Sequence, residues 1–452
     1  MPALVGPESS HYEIARRAWN LHADQRPAAV CVATCVQEIQ AVLAYARANR
    51  LRIATQTTGH LGQLLPELTD TILLRPALHD GELEIDPVEQ TARIKAGARW
   101  GEVVEAVAPH GLAAMHGSSP SVGVIGYLLG GGLSFYGRAH GLAANHVRAF
   151  EVVTADGAAR RVDAEHEPEL FWALRGGGGG YAIVTAVELG LLPYAEVTGG
   201  ALFFDLAQAP ALLRTWRDWT RTAPDEITTT FRVLTLPDLP DVPEPLRMTP
   251  RVCVDGVALV DGCAEELEHA LRSIDTPILG GFARMPSAAV VRLHGDPEEP
   301  VPAIGDGRLL GTLDDEAVAA FISVSGPGSP LLAAELRQLG GALAAPPAGA
   351  GARGSFEGEF LQFGVGIPGG PAPAEELNAC LDRYLAALDP WATGTRFTSF
   401  NERDRSLRGC VPDASLARLS RVRATADPDG MLVAPHLPPA PDELDQDGLY
   451  RA

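Results

Sequence analysis

The chain has 452 residues, 46% of them hydrophobic and 21% charged, and 57 Asp and Glu against 36 Lys and Arg give a formal charge of −21. That length implies two or three domains with ample core material, and the composition excludes global disorder. So acidic a chain lacks the basic surface that nucleic acid or an anionic membrane requires, and neither partner is expected.

The opening residues, MPALVGPESSHYEIARRAW, show no basic stretch leading into an apolar run, so no signal peptide is expected. AAVCVAT (28–34) reads as a strand, VQEIQAVLAYARANR (36–50) as an amphipathic helix and LRIATQ (51–56) as the next strand, a parallel β-α-β unit. After the loop TTGHLGQLLPELTD come strand candidates TILLRP, ELEID and TARIKAG, then the helix WGEVVEAVAPHG. An uncharged, glycine-rich segment follows, then AFEVVTADG as strand, PELFWALRG as helix and AIVTAVELGLL as strand.

Composition shifts after residue 195. The helix APALLRTWRDWTRTAP and a proline-rich passage (236–250) lead to the strand RVCVDGVALV and the helix CAEELEHALRSID. GALAAPPAGAGARGS (341–355) reads as a flexible loop. FEGEFLQFGVGI and TRFTSFNE read as strands around the helix AEELNACLDRYLAALD. The fold class is α+β: an N-terminal block (1–195), an inserted α+β domain (196–395) and a C-terminal return (396–452). Six cysteines without CxxC spacing are expected to be reduced, in a cytoplasmic protein.

Two glycine clusters stand out. GGGGG (176–180) satisfies a dinucleotide-binding pattern only trivially. That fingerprint needs a strand before the glycines and a helix after them, and here the order is reversed. The other cluster, SSPSVGVIGYLLGGGLS, has glycines at 123, 126, 130, 131 and 132. It suits close approach of backbone N–H groups to an anionic ligand, or merely a tightly packed turn. His60 sits in TTGHLG directly after a strand, where loops of α/β sheets bind ligands. The pairs His110/His116 and His140/His146 are spaced by six, not the four that aligns ligands on a helix, so no metal is expected. GxSxG and P-loop spacings are absent.

The order QTTGHLG, TARIKAGARWGEVV, GSSPSVGVIGYLLGGGLSFYGRAHGLAANHV, FEVVTADG, PELFWALRGGGGGYAIVTAVE and late ADPDG resembles the FAD-linked oxidases of the vanillyl-alcohol oxidase/p-cresol methylhydroxylase superfamily, in their berberine bridge enzyme-like branch. The resemblance implies a two-part FAD-binding domain of the p-cresol methylhydroxylase type. The inserted domain would bind substrate on an antiparallel sheet covered by helices. It implies FAD contacts from Gln56, Thr57, Thr58, Gly59, His60 and Leu61 in the first loop. In the glycine-rich segment it implies Ser119, Val122, Gly123, Gly126, Gly131 and Gly132, and further on Asn145, Val147, Ile183, Val184 and His436. His60 matches the histidine that commonly bonds to the flavin.

Three departures matter. The family's usual RGGGH is QTTGH here, so Gln56 replaces a cation while Thr57 and Thr58 add hydroxyls. Ser119 stands where doubly tethered members carry cysteine, so a single covalent link through His60 is expected. Phe397 and Ser399 occupy the usual Tyr-x-Asn positions, and Phe397 cannot take a proton. Candidate substitutes are Tyr127, Gln362 and Glu402, with Tyr136 and Glu359 behind them. The resemblance implies an FAD-dependent oxidase that dehydrogenates a small organic substrate with O₂ as acceptor, in specialised-metabolite biosynthesis. The alternative is a redox-neutral cyclisation or isomerisation in the same fold.

Overall fold

The helix Val36–Asn49 carries Ile39, Val42, Leu43 and Ala46 at helical spacing, and that stripe is buried. It covers a parallel sheet of four strands in the order Ala29–Ala33, Thr71–Pro76, Arg52–Thr55 and Leu432–Val433. The last strand comes from the far end of the chain, with Leu432 opposite Ile53 and Val433 opposite Ala54. The computed structural model describes residues 2–78, 83–240 and 242–443.

A second sheet is antiparallel, in the order Glu84–Asp86, Thr91–Lys95, Ile183–Gly190, Val147–Val153 and Ala159–Asp163. The helix Trp100–Val107 and the short helix Val124–Leu129 share its core.

The third sheet has seven strands, all paired antiparallel, drawn from residues 196–366. Side chains alternate between its faces. One face, with Leu202, Phe204, Phe231, Val254 and Leu336, packs against the helices Ala209–Thr220, Cys263–Arg272, Asp315–Ser325 and Ala374–Ala386. The opposite face, with Phe203, Arg232, Glu335, Arg337 and Phe363, borders a cavity shared with the first two sheets. The expected antiparallel sheet under helices is present.

Two sequence expectations are corrected. TRFTSFNE is not a strand: it closes as a single 3₁₀ turn, Thr398–Phe400. Phe397 and Phe400 both point into an aromatic cluster, Phe397 edge-on to Phe356 (4.7 Å) and Phe400 edge-on to Phe363 (5.0 Å). A spacing of three on one side is what a 3₁₀ turn gives and what a strand cannot. Residues 341–355, read as a flexible loop, are anchored. Ala352 and Arg353 are buried, and the Arg353 guanidinium donates to the Cys410 carbonyl and lies over Phe356. All six cysteines are free, and among the described residues no helix is long and apolar enough to cross a membrane.

Candidate active site

Beyond Thr55, the Gln56 N–H still pairs with the Leu74 carbonyl, and the chain then turns at Gly59. Gly59 has φ +90°, and a Cβ there would lie 2.7 Å from the Gln56 side chain and 2.9 Å from Ala18. Only glycine fits that turn. The turn delivers His60 to the wall of a cavity of about 540 Å³. The imidazole stacks on Trp19, and its Nε2 is 3.2 Å from Ser121 Oγ. Ser121 Oγ is in turn 2.9 Å from Ser119 Oγ. Burial pushes the His60 pKa down to about 4, so the ring is neutral and its nitrogen lone pair available at neutral pH.

The same cavity is walled by Gln56–Leu61, Ser119, Val122, Gly123, Gly126, Tyr127, Val184, Glu402 and His436, which the fold brings together from five separate segments. His436 is held by burial as a neutral donor, its Nε2 3.1 Å from the Asn401 carbonyl and 3.0 Å from that of Asp404.

Other predicted contacts stand off this wall. Gly131 and Gly132 have φ +105° and +74°, and Gly132 is needed because a Cβ would fall 2.4 Å from the Tyr127 ring. Their role is to seat Tyr127 and Phe397. Asn145 donates to the Gly354 carbonyl at 3.0 Å, and Val147 and Ile183 lie in the core of the second sheet.

The candidate proton carriers separate sharply. Gln362 alternates to the helix-covered face, where its Nε2 donates to the Tyr384 carbonyl at 2.8 Å and its Oε1 accepts from Arg308 at 3.2 Å. It cannot reach the cavity. Glu359 is exposed and accepts from Thr312, and Tyr136 is buried between His116 and Tyr194. Tyr127 sits edge-on to Trp100 with its hydroxyl buried and unpartnered. Burial raises its pKa well above 10, so it is a hydrogen-bond donor and no base. Glu402 faces the cavity, and among the described residues its carboxyl makes no hydrogen bond. Burial, aided by the charge of Asp306, pushes its pKa up to about 8. Phe397 is fully buried off the wall, whereas Ser399 is on it.

Sequence reasoning missed one side of the site. Arg232, His294, Glu335 and Arg337 line the cavity from the third sheet and the loop beside it. Arg232 pairs with buried Asp255, and His294 bridges Asp255 Oδ2 and Glu335 Oε2 at 3.0 Å each. Arg337 grips Glu335 at 2.8 Å. Burial alone would raise both carboxylates, but the adjacent arginines and His294 hold them well below the usual range. Two ionisable residues at i and i+2 in AAELRQ were the available signal. Trp19 had none.

Among the described residues four buried polar atoms of the wall have no partner: Gln56 Nε2, Tyr127 Oη, Arg232 Nε and Thr398 Oγ1. A Cβ at Gly126 would meet open space. Unsatisfied donors beside bare backbone call for a large ligand rich in acceptors, and FAD has that chemistry. Residues 27–163 match the FAD binding domain family. The fold matches the BBE-like 1 protein of Physcomitrella patens with TM-score 0.83 and 20% identity, covering 97% of this chain and 96% of that one. The chain has the fold of that protein. A 6-hydroxy-D-nicotine oxidase from Arthrobacter nicotinovorans matches with TM-score 0.82 and 22% identity, over 95% and 96% of the chains.

Among curated sequences, the chain is 31% identical to the (R)-6-hydroxynicotine oxidase of Paenarthrobacter nicotinovorans over 198 residues, 43% of each chain. It is 29% identical to an FAD-dependent monooxygenase of Penicillium roqueforti over 221 residues, 48% of this chain and 43% of that one. These matches span less than half the length of the curated relatives.

Proposed function

We propose that the protein is an FAD-linked oxidase that dehydrogenates a small organic substrate and passes the electrons to O₂. The observation that carries this reading is the pairing, across one cavity, of a neutral His60 and an open Glu402 carboxyl. FAD, when bound, supplies the two-electron acceptor. His60 holds it through a single covalent link, because Ser119, hydrogen-bonded to Ser121, cannot form a thioether. Gln56 and Thr398 offer their unpartnered donors to it. Glu402, once deprotonated, takes the proton from the substrate N–H or O–H as the adjoining carbon is oxidised. Tyr127 donates its hydroxyl hydrogen to the ligand. Apolar side chains of Leu234, Val365 and Ile367 exclude water.

The division into residues 1–195, 196–395 and 396–452 belongs to this proposal, supported by the sheet memberships. So do a cytoplasmic location, supported by six free cysteines, and a place in specialised-metabolite biosynthesis, supported by the resemblance.

The test is to precipitate the purified protein in acid. Yellow colour retained in the pellet, and lost from it in His60→Ala, is the expected result; colour released by the unaltered protein overturns the tether. A substrate turned over with no H₂O₂ and no flavin bleaching would replace oxidase action by the redox-neutral alternative.

A further inference from the structure

We propose that the cavity-facing side of the seven-stranded sheet is an anion-docking wall, and that the substrate carries a carboxylate seated on the guanidinium of Arg337. The inference rests on the flavin reading only for which cavity the substrate enters.

The strands' period of two sets the wall. Arg232, Asp255, Glu335 and Arg337 occupy the face opposite the helices, and His294 reaches them from the adjoining loop. His294 presents Nδ1 to one carboxylate and Nε2 to another, each at 3.0 Å. Ionised carboxylates only accept, so this pair favours the protonated ring, with Arg337 Nη2 also 3.1 Å from Nε2. Three cations then face two buried carboxylates, and Asp296 on the cavity wall adds a third that acts on Arg232 and His294. Asp296 is partly exposed and engaged by Ser118 Oγ at 2.7 Å. Glu402 is uncharged below about pH 8.

Donors are also left over. Arg337 commits Nε and Nη2 to Glu335 and lies 4.8 Å over the Phe400 ring. Among the described residues its Nη1 has no hydrogen-bond partner. Arg232 Nε is buried and unpartnered as well. The free Nη1 of a guanidinium held rigid by Glu335 is a charged donor that suits a carboxylate ligand. Stability is a poor explanation for such a cluster, because buried ion networks often contribute no more than apolar packing. Beside it, Leu234, Leu236, Val365 and Ile367 offer an apolar surface. The substrate class is therefore a small organic acid with an apolar body.

The test titrates the purified flavoprotein with benzoate, benzamide and benzylamine, three probes that share a ring and differ in charge. Binding is read from the thermal midpoint, which needs no chromophore, and from flavin absorbance. Benzoate is expected to bind at least about tenfold tighter than either other probe, about 1.4 kcal/mol. Arg337→Gln should remove that preference while benzamide binding holds, and Arg337→Lys should restore part of it. Equal binding of the three, tighter benzylamine, or no benzoate binding overturns the proposal in the unaltered protein, whatever the variants do. A yellow protein without benzoate preference sinks this inference alone. A colourless protein that prefers benzoate sinks the flavin reading alone.

Discussion

The His60 imidazole lies flat on the Trp19 indole, ring centroids 3.9 Å apart and planes inclined by 16°. Trp19 comes from the N-terminal segment and is itself pinned, its backbone N–H donating to the Thr58 carbonyl at 2.8 Å. An aromatic pair of this kind contributes about 0.5–1.5 kcal/mol beyond its buried area. Trp19→Leu should therefore lower the share of acid-stable flavin several-fold without abolishing flavin binding. Comparing colour in the acid pellet with colour in the native protein measures it. An unchanged ratio would show that the stack does not position the histidine.

Glu402 gives a pH prediction with a defined sign. As a base it must be deprotonated, so kcat/KM should rise about tenfold per pH unit up to about 8 and then level off. Glu402→Gln should lower kcat/KM by about 10²–10⁴ and remove that rise.

The same residue affects folding. A carboxyl raised from 4.5 to about 8 favours the folded state fully below pH 4.5, and that contribution is lost as pH climbs through 8. Glu402→Gln carries no such loss, so urea unfolding should show the variant gaining on the parent between those limits.

Gln362 serves as a contrast. Its amide spans the helix-covered face of the sheet, so Gln362→Leu leaves the Tyr384 carbonyl and Arg308 Nε without partners. A loss of about 1–3 kcal/mol in denaturant unfolding is expected, with turnover per flavin retained. A collapse of turnover at unchanged stability would place Gln362 in the chemistry after all.

Asp255 is fully buried between Arg232 and His294. Asp255→Asn strands two cations and should cost about 3–5 kcal/mol in the same assay.

The first half of the chain was legible because its signals are local. The stripe of Val36–Asn49, the loop with His60 and the glycine run around Gly126 each announce themselves within a few residues. The seven-stranded sheet was mostly hidden. Ala333–Gln338, AAELRQ, has helix-forming composition and becomes a strand because Ile227–Leu234 and Phe360–Gly366 flank it on both sides. Glu196–Asp205 contains two adjacent glycines, which weaken any strand signal, yet Gly200 is where the neighbouring strand comes closest: a Cβ there would lie 2.0 Å from the Gly281 carbonyl. The sidedness of Gln362 likewise depends on which face the helices cover, and no window of sequence states that.

Leu432 and Val433 complete the sheet edge beside Ile53 and Ala54, the strand that leads into the His60 loop. That pairing cannot form until residues 432 and 433 have been made. A contact of such high sequence separation closes late and slowly. A chain cut before residue 432 should therefore hold flavin more weakly, because the strand that leads into the His60 loop loses its neighbour.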